Sequence, residues 1–257
     1  MMIVTLHQIE VSESKEENLE RALELLGKSR SDLDVFPEYL MGVSSEGVTR
    51  EYVHRLAEPL DGPFASALLE KSRKEGKAVV FTMYLLESGK VYNAAILADR
   101  GEVKAVYRKV HLFDAFGYKE SDIFSPGSEV VVGKLGDLKV GLAVCFDLRF
   151  PELFRAMAKR GASIFIVPAA WYRGPYKLDQ WRALTVARAH ENTCFLIAVN
   201  QTGKLFNGHS LIISPLGYMV ADLGEEEHSV TLHLPINDLV KAREMVPVLE
   251  LLRDNVY

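Results

Sequence analysis

The chain is short of cysteine: its 257 residues contain only Cys145 and Cys194. Two thiols cannot build a disulfide scaffold and fit a reducing compartment, so either can be present for its chemistry. A basic excess is lacking too. Lys and Arg number 30 against 35 Asp and Glu, a formal charge of -5, and the cations are scattered rather than massed in a stripe. A phosphate backbone needs a basic footprint, so nucleic acid is excluded as an expected partner. Long apolar runs are also missing. The longest stretches, Val140 to Phe146 and Ala162 to Tyr172, fall far short of the ~20 residues a helix needs to cross a bilayer. Met1 to Ile9 has no basic lead and no small-residue cleavage pattern. These absences predict a soluble, cytoplasmic protein without membrane contact. With no Pro/Gly/Ser linker, low-complexity tract or internal repeat to divide it, the chain is expected to fold as one domain over residues 1–257.

At 48% hydrophobic and 25% charged, the composition supports a sizeable core. Apolar runs that read as buried strands alternate with helical periodicity, the pattern of a layered α/β fold. Met2 to Ile9 reads as the first strand. Ser14 and Glu17 predict a capping box ahead of a helix whose face is Leu19, Ala22, Leu23 and Leu26. Leu33 to Phe36 is a short strand stopped by Pro37-Glu38. Ala78 to Leu86 pairs with Val91 to Ala98 across Ser88-Gly89, and Val103 to Tyr107 follows. Val130 to Leu135 pairs with Leu138 to Val144 across Gly136-Asp137. Two consecutive hairpins predict mixed sheets and argue against a simple doubly wound nucleotide-binding fold. Helices over Pro151 to Arg160 and Lys177 to Glu191 alternate with strands Ser163 to Val167 and Thr193 to Val199. The strands His209 to Ile213, Tyr218 to Leu223 and Ser229 to Leu234 complete the β content.

Cys145 ends an apolar strand just before a helix begins. Backbone N–H groups and the positive helix end there favour thiolate over thiol. Cys194, inside Thr-Cys-Phe-Leu-Ile-Ala-Val, has the surroundings of an ordinary core cysteine. A thiol of ordinary pKa, about 8.5, needs a base or a cation to become a nucleophile. His111 and His190 lack the surrounding sequence of a thiol peptidase, and His228 and His233 have no metal-ligand spacing, so no metal is assigned. Two other strand ends carry charge: Val35-Phe36-Pro37-Glu38 delivers a carboxylate, and Tyr107-Arg108-Lys109-Val110-His111-Leu112-Phe113 an ammonium. Each taken singly is a solvated strand end. Together with Cys145 they can fill acid, base and nucleophile roles.

These segments, with Cys145-Phe146-Asp147-Leu148-Arg149-Phe150-Pro151-Glu152 and Glu120-Ser121-Asp122 ahead of Ser125-Pro126-Gly127, resemble the nitrilase or carbon–nitrogen hydrolase superfamily. The similarity runs from the first strand to Asp238 to Tyr257, and is greatest to the omega-amidase and Nit-type branch. It implies an α/β four-layer α-β-β-α sandwich with two mixed β-sheets, and a homodimer formed through one helical layer, with the helix after Pro151 and the helix bearing Leu178, Trp181 and Leu184 as its surface. It also implies a cofactor-independent hydrolase that cleaves the C–N bond of a small aliphatic amide through a cysteine thioester. In that scheme Cys145 is the nucleophile, Glu38 the base, and Lys109 with the Phe146 N–H the oxyanion donors; Glu120 positions the substrate. The branch acts on small amides with a distant carboxylate. Arg173, Lys177 and Arg182 are the candidates to hold that carboxylate, and Trp171 is either a pocket wall or a core aromatic. A nitrilase or an N-carbamoyl-amino-acid hydrolase would use the same triad. A catalytically silent sandwich scaffold is the non-enzymatic alternative, disfavoured because a scaffold has no need of charges buried beside a thiol.

Overall fold

The computed structural model describes residues 2–253 and 256. In chain order the elements are β1 (Met2–Gln8), α1 (Lys15–Lys28), β2 (Leu33–Val35), α2 (Arg50–Leu56), α3 (Pro63–Glu75), β3 (Ala78–Glu87), β4 (Lys90–Asp99) and β5 (Glu102–Arg108). They continue with β6 (Asp114–Ala115), β7 (Tyr118–Lys119), β8 (Val132–Leu135), β9 (Leu138–Leu142), α4 (Pro151–Lys159), β10 (Ile164–Ala169), α5 (Lys177–His190) and β11 (Phe195–Asn200). The last are β12 (Leu211–Ile213), β13 (Met219–Asp222), β14 (His228–Leu234) and α6 (Asn237–Met245).

Two six-stranded sheets result, ordered β14-β1-β2-β3-β4-β5 and β13-β12-β11-β10-β9-β8. Both are mixed. In the first, β1, β2 and β3 are parallel and the flanking strands antiparallel. In the second, β9, β10 and β11 are parallel between antiparallel neighbours. The sheets stack face to face, with β1 against β11 and β3 against β10. Val4, Leu6, Val35, Val80 and Leu97 of the first meet the core that holds Val140, Leu142, Ile166 and Ile197 of the second. On the outer face of the first sheet, Ala22 and Leu26 of α1 and Phe64 and Leu68 of α3 cover Val79, Phe81 and Ile96. Helices α4 and α5 pack on β9, β11 and β12, which completes the four-layer sandwich. Burial on both faces is why Ala78 to Leu85 reads as an unbroken run rather than an alternating one. The Ser88-Gly89 turn has positive φ at both positions, 50° and 76°, as a tight hairpin turn demands.

Some local expectations change. Ser14 Oγ accepts the Glu17 N–H at 3.2 Å, but the Glu17 carboxylate accepts from Ser12 Oγ at 3.1 Å instead of closing the box. Helices α2, α3 and α6 were not anticipated. Their end signals are present in Thr49, which caps α2, and in Pro63 and Gly76 at the two ends of α3. Trp181 faces inward, fully buried, with its indole N–H donating to the His209 carbonyl at 2.7 Å, so it is not available to a partner surface. Among the described residues no helix is long and apolar enough to cross a membrane.

Candidate active site

The parallel strands of both sheets end on the same side, and their C-terminal ends carry the charged groups. Glu38 stands three residues past β2 and Lys109 one past β5. Cys145 stands three past β9, and Ala170 immediately past β10. Ligand sites of open α/β sheets favour this position. Lys109, Glu38 and Glu120 are all essentially fully buried. The Lys109 ammonium lies 2.9 Å from Glu38 Oε1 and 2.9 Å from Glu120 Oε2, bridging the two carboxylates. The other Glu38 oxygen accepts the Ala170 N–H at 2.8 Å, and the Cys145 thiol interacts electrostatically with Glu38. Glu38 is therefore carried by one sheet and fastened to the other. Glu120 is surrounded only by donors: Lys109, Asn93 at 3.0 Å, the Tyr39 hydroxyl at 3.1 Å and the Phe113 N–H at 2.6 Å. Behind Lys109, Gly127 donates its N–H to the Lys109 carbonyl at 2.8 Å. A side chain there would collide with the Arg108 carbonyl, a physical reason for glycine in Ser125-Pro126-Gly127.

Cys145 opens a short 3-10 turn, Cys145–Arg149, with φ of +45°. A non-glycine residue in that region is strained and persists only when its surroundings hold it. Asp147, fully buried, supplies the hold. It accepts the Val144 N–H at 2.8 Å, the Tyr107 hydroxyl at 2.7 Å, and both the N–H and the Nδ1 of His111 at 3.1 and 2.8 Å. The Phe146 N–H lies in the first turn of this 3-10 helix, where N–H groups have no acceptor within the helix. Cys145 is partly exposed as a residue, unlike Cys194.

Charge bookkeeping sets the protonation logic. Two carboxylates and one ammonium already leave one excess negative charge in a buried space, and a thiolate would add a second. Burial pushes the Cys145 thiol well above its ordinary value, and the Glu38 carboxylate pushes the same way against the pull of Lys109. Burial likewise raises Glu38 above 4.5, opposed by Lys109 and assisted by Glu120. For Lys109, burial alone would lower the pKa, but the carboxylates of Glu120 and Glu38 override it and hold the ammonium well above 10.5. These directions favour a thiol over a thiolate at rest, against the pull of the helix end. Proton transfer between Cys145 and Glu38 moves charge within the cluster without drawing it from solvent.

A pH profile follows from these directions. With Cys145 as nucleophile and Glu38 as base, turnover would need Glu38 ionised and the sulfur protonated, or the tautomer with the proton moved across. The acid limb of kcat/KM is expected above 4.5 and the alkaline limb above 9.0, each belonging to the pair rather than to one residue. An acid limb at or below 4.5 would show that Glu38 is not the group being titrated. Alkylation gives a second check. Cys194 is fully buried and its thiol is pushed up to about 11, chiefly by burial. Iodoacetamide is expected to label Cys145 alone in the folded protein and both thiols after denaturation, read by peptide mass. Equal labelling before denaturation would contradict the site.

Cations and rings surround the approach to Cys145. Phe113 packs edge-on to Phe146 at 5.0 Å and lies 6.3 Å from Tyr172. The Arg149 guanidinium lies 5.0 Å from the Trp171 ring centre, and Lys177 lies 3.9 Å from that of Phe116. Arg149 also lies 5.8 Å from the ring centre of Phe146, the residue after Cys145, and Lys177 lies 5.8 Å from that of Trp171. Burial lowers both of their pKa values, and Arg149 lowers Lys177 further. Neither has a carboxylate partner among the described residues, and Arg149 Nε is buried without an acceptor. Arg173 is placed differently: its guanidinium is 2.8 Å from Glu225 and donates to the Gly203 carbonyl at 3.0 Å, so it does not turn toward Cys145. Arg182 is likewise paired, with Asp222 at 2.7 Å. Trp171 belongs to the core, with its indole N–H on the Lys177 carbonyl at 2.9 Å, while its ring underlies Arg149.

Sequence reasoning overlooked Asn93, Tyr39, Asp147, Gln201 and the role of Arg149. Asn93 donates to both Glu38 and Glu120, and Gln201 Nε2 holds the Glu38 carbonyl at 2.7 Å. A lone amide inside the apolar strand Val91-Tyr92-Asn93-Ala94-Ala95 was the available signal, because a buried polar group needs partners. Among the described residues no group of three or more His, Cys, Asp or Glu side chains is arranged to hold a metal ion.

Known proteins share this arrangement of chain. The deaminated glutathione amidase of Escherichia coli O157:H7 is 32% identical over 253 residues, 96% of each chain. The 2-oxoglutaramate amidase of Bacillus subtilis is 33% identical over 258 residues, 97% of each. The crystal structure of Saccharomyces cerevisiae Nit3, a member of branch 10 of the nitrilase superfamily, superposes with a TM-score of 0.86 at 26% identity, covering 100% of this chain and 97% of that one. The family model for carbon-nitrogen hydrolases matches residues 3–243. By fold, by sequence and by the span of that match, the chain belongs to the carbon-nitrogen hydrolase family, in the omega-amidase and Nit branch of the nitrilase superfamily.

Proposed function

We propose that the protein is a thiol amidase that releases ammonia from small amides carrying a carboxylate at the far end. The observation that carries this reading is the buried ammonium of Lys109 bridging Glu38 and Glu120, with the other Glu38 oxygen on the Ala170 N–H, beside Cys145 at the strand ends. As the sulfur bonds to the amide carbon, its proton passes to Glu38 and the carbonyl electron pair moves onto oxygen. Lys109 Nζ and the Phe146 N–H are the fixed donors for that oxyanion. Glu38 then gives its proton to the nitrogen, the C–N bond breaks and ammonia leaves a thioester behind. Water adds to the thioester with Glu38 taking its proton, and collapse expels the sulfur, which recovers the proton as the carboxylic acid departs. Glu120 holds Lys109 and, through Asn93, the base. No cofactor enters these steps, and pairing of two chains through the α4–α5 layer belongs to the same reading.

The carboxylate preference rests on Arg149 and Lys177, two cations over the rings of Phe146 and Trp171 that have no acidic partner among the described residues. The name of one relative fits, since 2-oxoglutaramate is an amide with a carboxylate at its other end. The test is ammonia release from a dicarboxylic acid monoamide, a neutral amide of equal length, the matching nitrile and a carbamoyl amino acid. The monoamide is expected to exceed the neutral amide in kcat/KM by about 10- to 100-fold, the worth of a charge-assisted hydrogen bond. Arg149→Ala is expected to remove most of that margin through KM. Equal rates for the two amides would sink the carboxylate preference and leave the amidase standing; turnover of the nitrile or carbamoyl compound alone would sink the amidase.

A further inference from the structure

The edges of the two sheets meet where β5 lies against β8. Gly133 allows the meeting, because a Cβ there would press into Leu97 and Ala105 of the opposite sheet. Above this seam opens a groove of about 580 Å³, floored by apolar side chains and rimmed by Lys104, Lys134, Lys139 and Arg160. No carboxylate lines it. Four cations converge there in a chain whose formal charge is -5.

The fold does not account for this concentration of charge. Lys134 and Lys139 face each other directly in the β8–β9 ladder, and like charges so placed repel. Lys139 Nζ donates to the Arg160 carbonyl at 3.0 Å, and the Arg160 guanidinium donates to the Val130 carbonyl. Carbonyl oxygens fix these cations in position without neutralising them. Among the described residues only Lys104 of the four has an acidic partner, Glu102 at 2.6 Å.

We propose that this groove binds a compact polyvalent anion of the polyphosphate class. Four N–H-bearing cations spread along an open groove suit a linked chain of phosphoryl groups better than a single small anion, which would reach only one or two of them. No aromatic side chain lines the groove, so it offers no platform for a base or ring. The site is separate from the catalytic cluster: Lys104 and Lys109 are five residues apart, about 17 Å along an extended strand.

The experiment is calorimetric titration of the intact protein with tripolyphosphate at low salt, alongside K134E/K139E and a control, K74E/K90E, with the same charge change at exposed lysines elsewhere. One saturable event per chain is expected, weakened about tenfold or more in K134E/K139E, as for reversal of two contacting charges, and little changed in the control. Amide turnover is expected to be unchanged in both variants, which also shows that they fold. Absence of saturable binding, undiminished binding by K134E/K139E, or equal weakening in both variants would overturn the proposal.

Discussion

Cys145→Ala is expected to abolish ammonia release, a fall of at least ~10⁴ in kcat, because no other group can form the bond to carbon. The fold should survive. Alanine carries the same Cβ into the strained φ of +45°, so the backbone cost is that already met by cysteine. The elbow is held by Asp147, through the Val144 N–H, the Tyr107 hydroxyl and His111, and none of those contacts involves sulfur. Glu38 keeps its donors Lys109, Asn93 and the Ala170 N–H. Unfolding in urea and ammonia assays on the same preparation separate the two effects. Retained turnover in a folded Cys145→Ala protein would end the thioester mechanism.

The groups at the strand ends were legible because each is a charge or thiol that interrupts an apolar run, and a parallel strand's end is where a chain can present such a group without burying it in the sheet. The layers were legible for a similar reason: two hairpins in sequence exclude a purely parallel sheet, and β3 and β4 are apolar on both faces. Direction was not legible. Arg173 lies two residues from Trp171, yet the loop turns through Gly174 and sends its guanidinium to Glu225. Arg149 stands in a motif read for its cysteine, and only the 3-10 turn and the positive φ at Cys145 bring it over Trp171. Asn93 and Gln201 act across separations of 55 and 163 residues to Glu38, a relation no local pattern encodes. The same gap bears on the protonation of Cys145. A helix end is visible in the sequence, but the burial and the Glu38 carboxylate that push the thiol up come from the assembled fold.

Lys109→Met should be costly twice over, and the two costs can be separated. Glu38 and Glu120 are both buried and share the Asn93 amide, at 2.7 and 3.0 Å, so without the ammonium they face each other with no cation between them. Removing one partner from a buried ionic group costs about 3–5 kcal/mol, and this variant is expected to lose stability on that scale in urea. Turnover should fall by about 10²–10³ from the lost oxyanion donor alone, and further because a carboxylate pair without a cation retains a proton that Glu38 would otherwise be free to accept. Lys109→Met with Glu120→Gln distinguishes neutralisation from catalysis. Removing one of the facing carboxylates should recover much of the stability, since the remaining carboxylate no longer opposes a like charge. Turnover should stay low, because no ammonium points at the substrate oxygen. If the double variant regained both, Lys109 would serve only to neutralise Glu120, and the oxyanion would rest on backbone N–H groups alone.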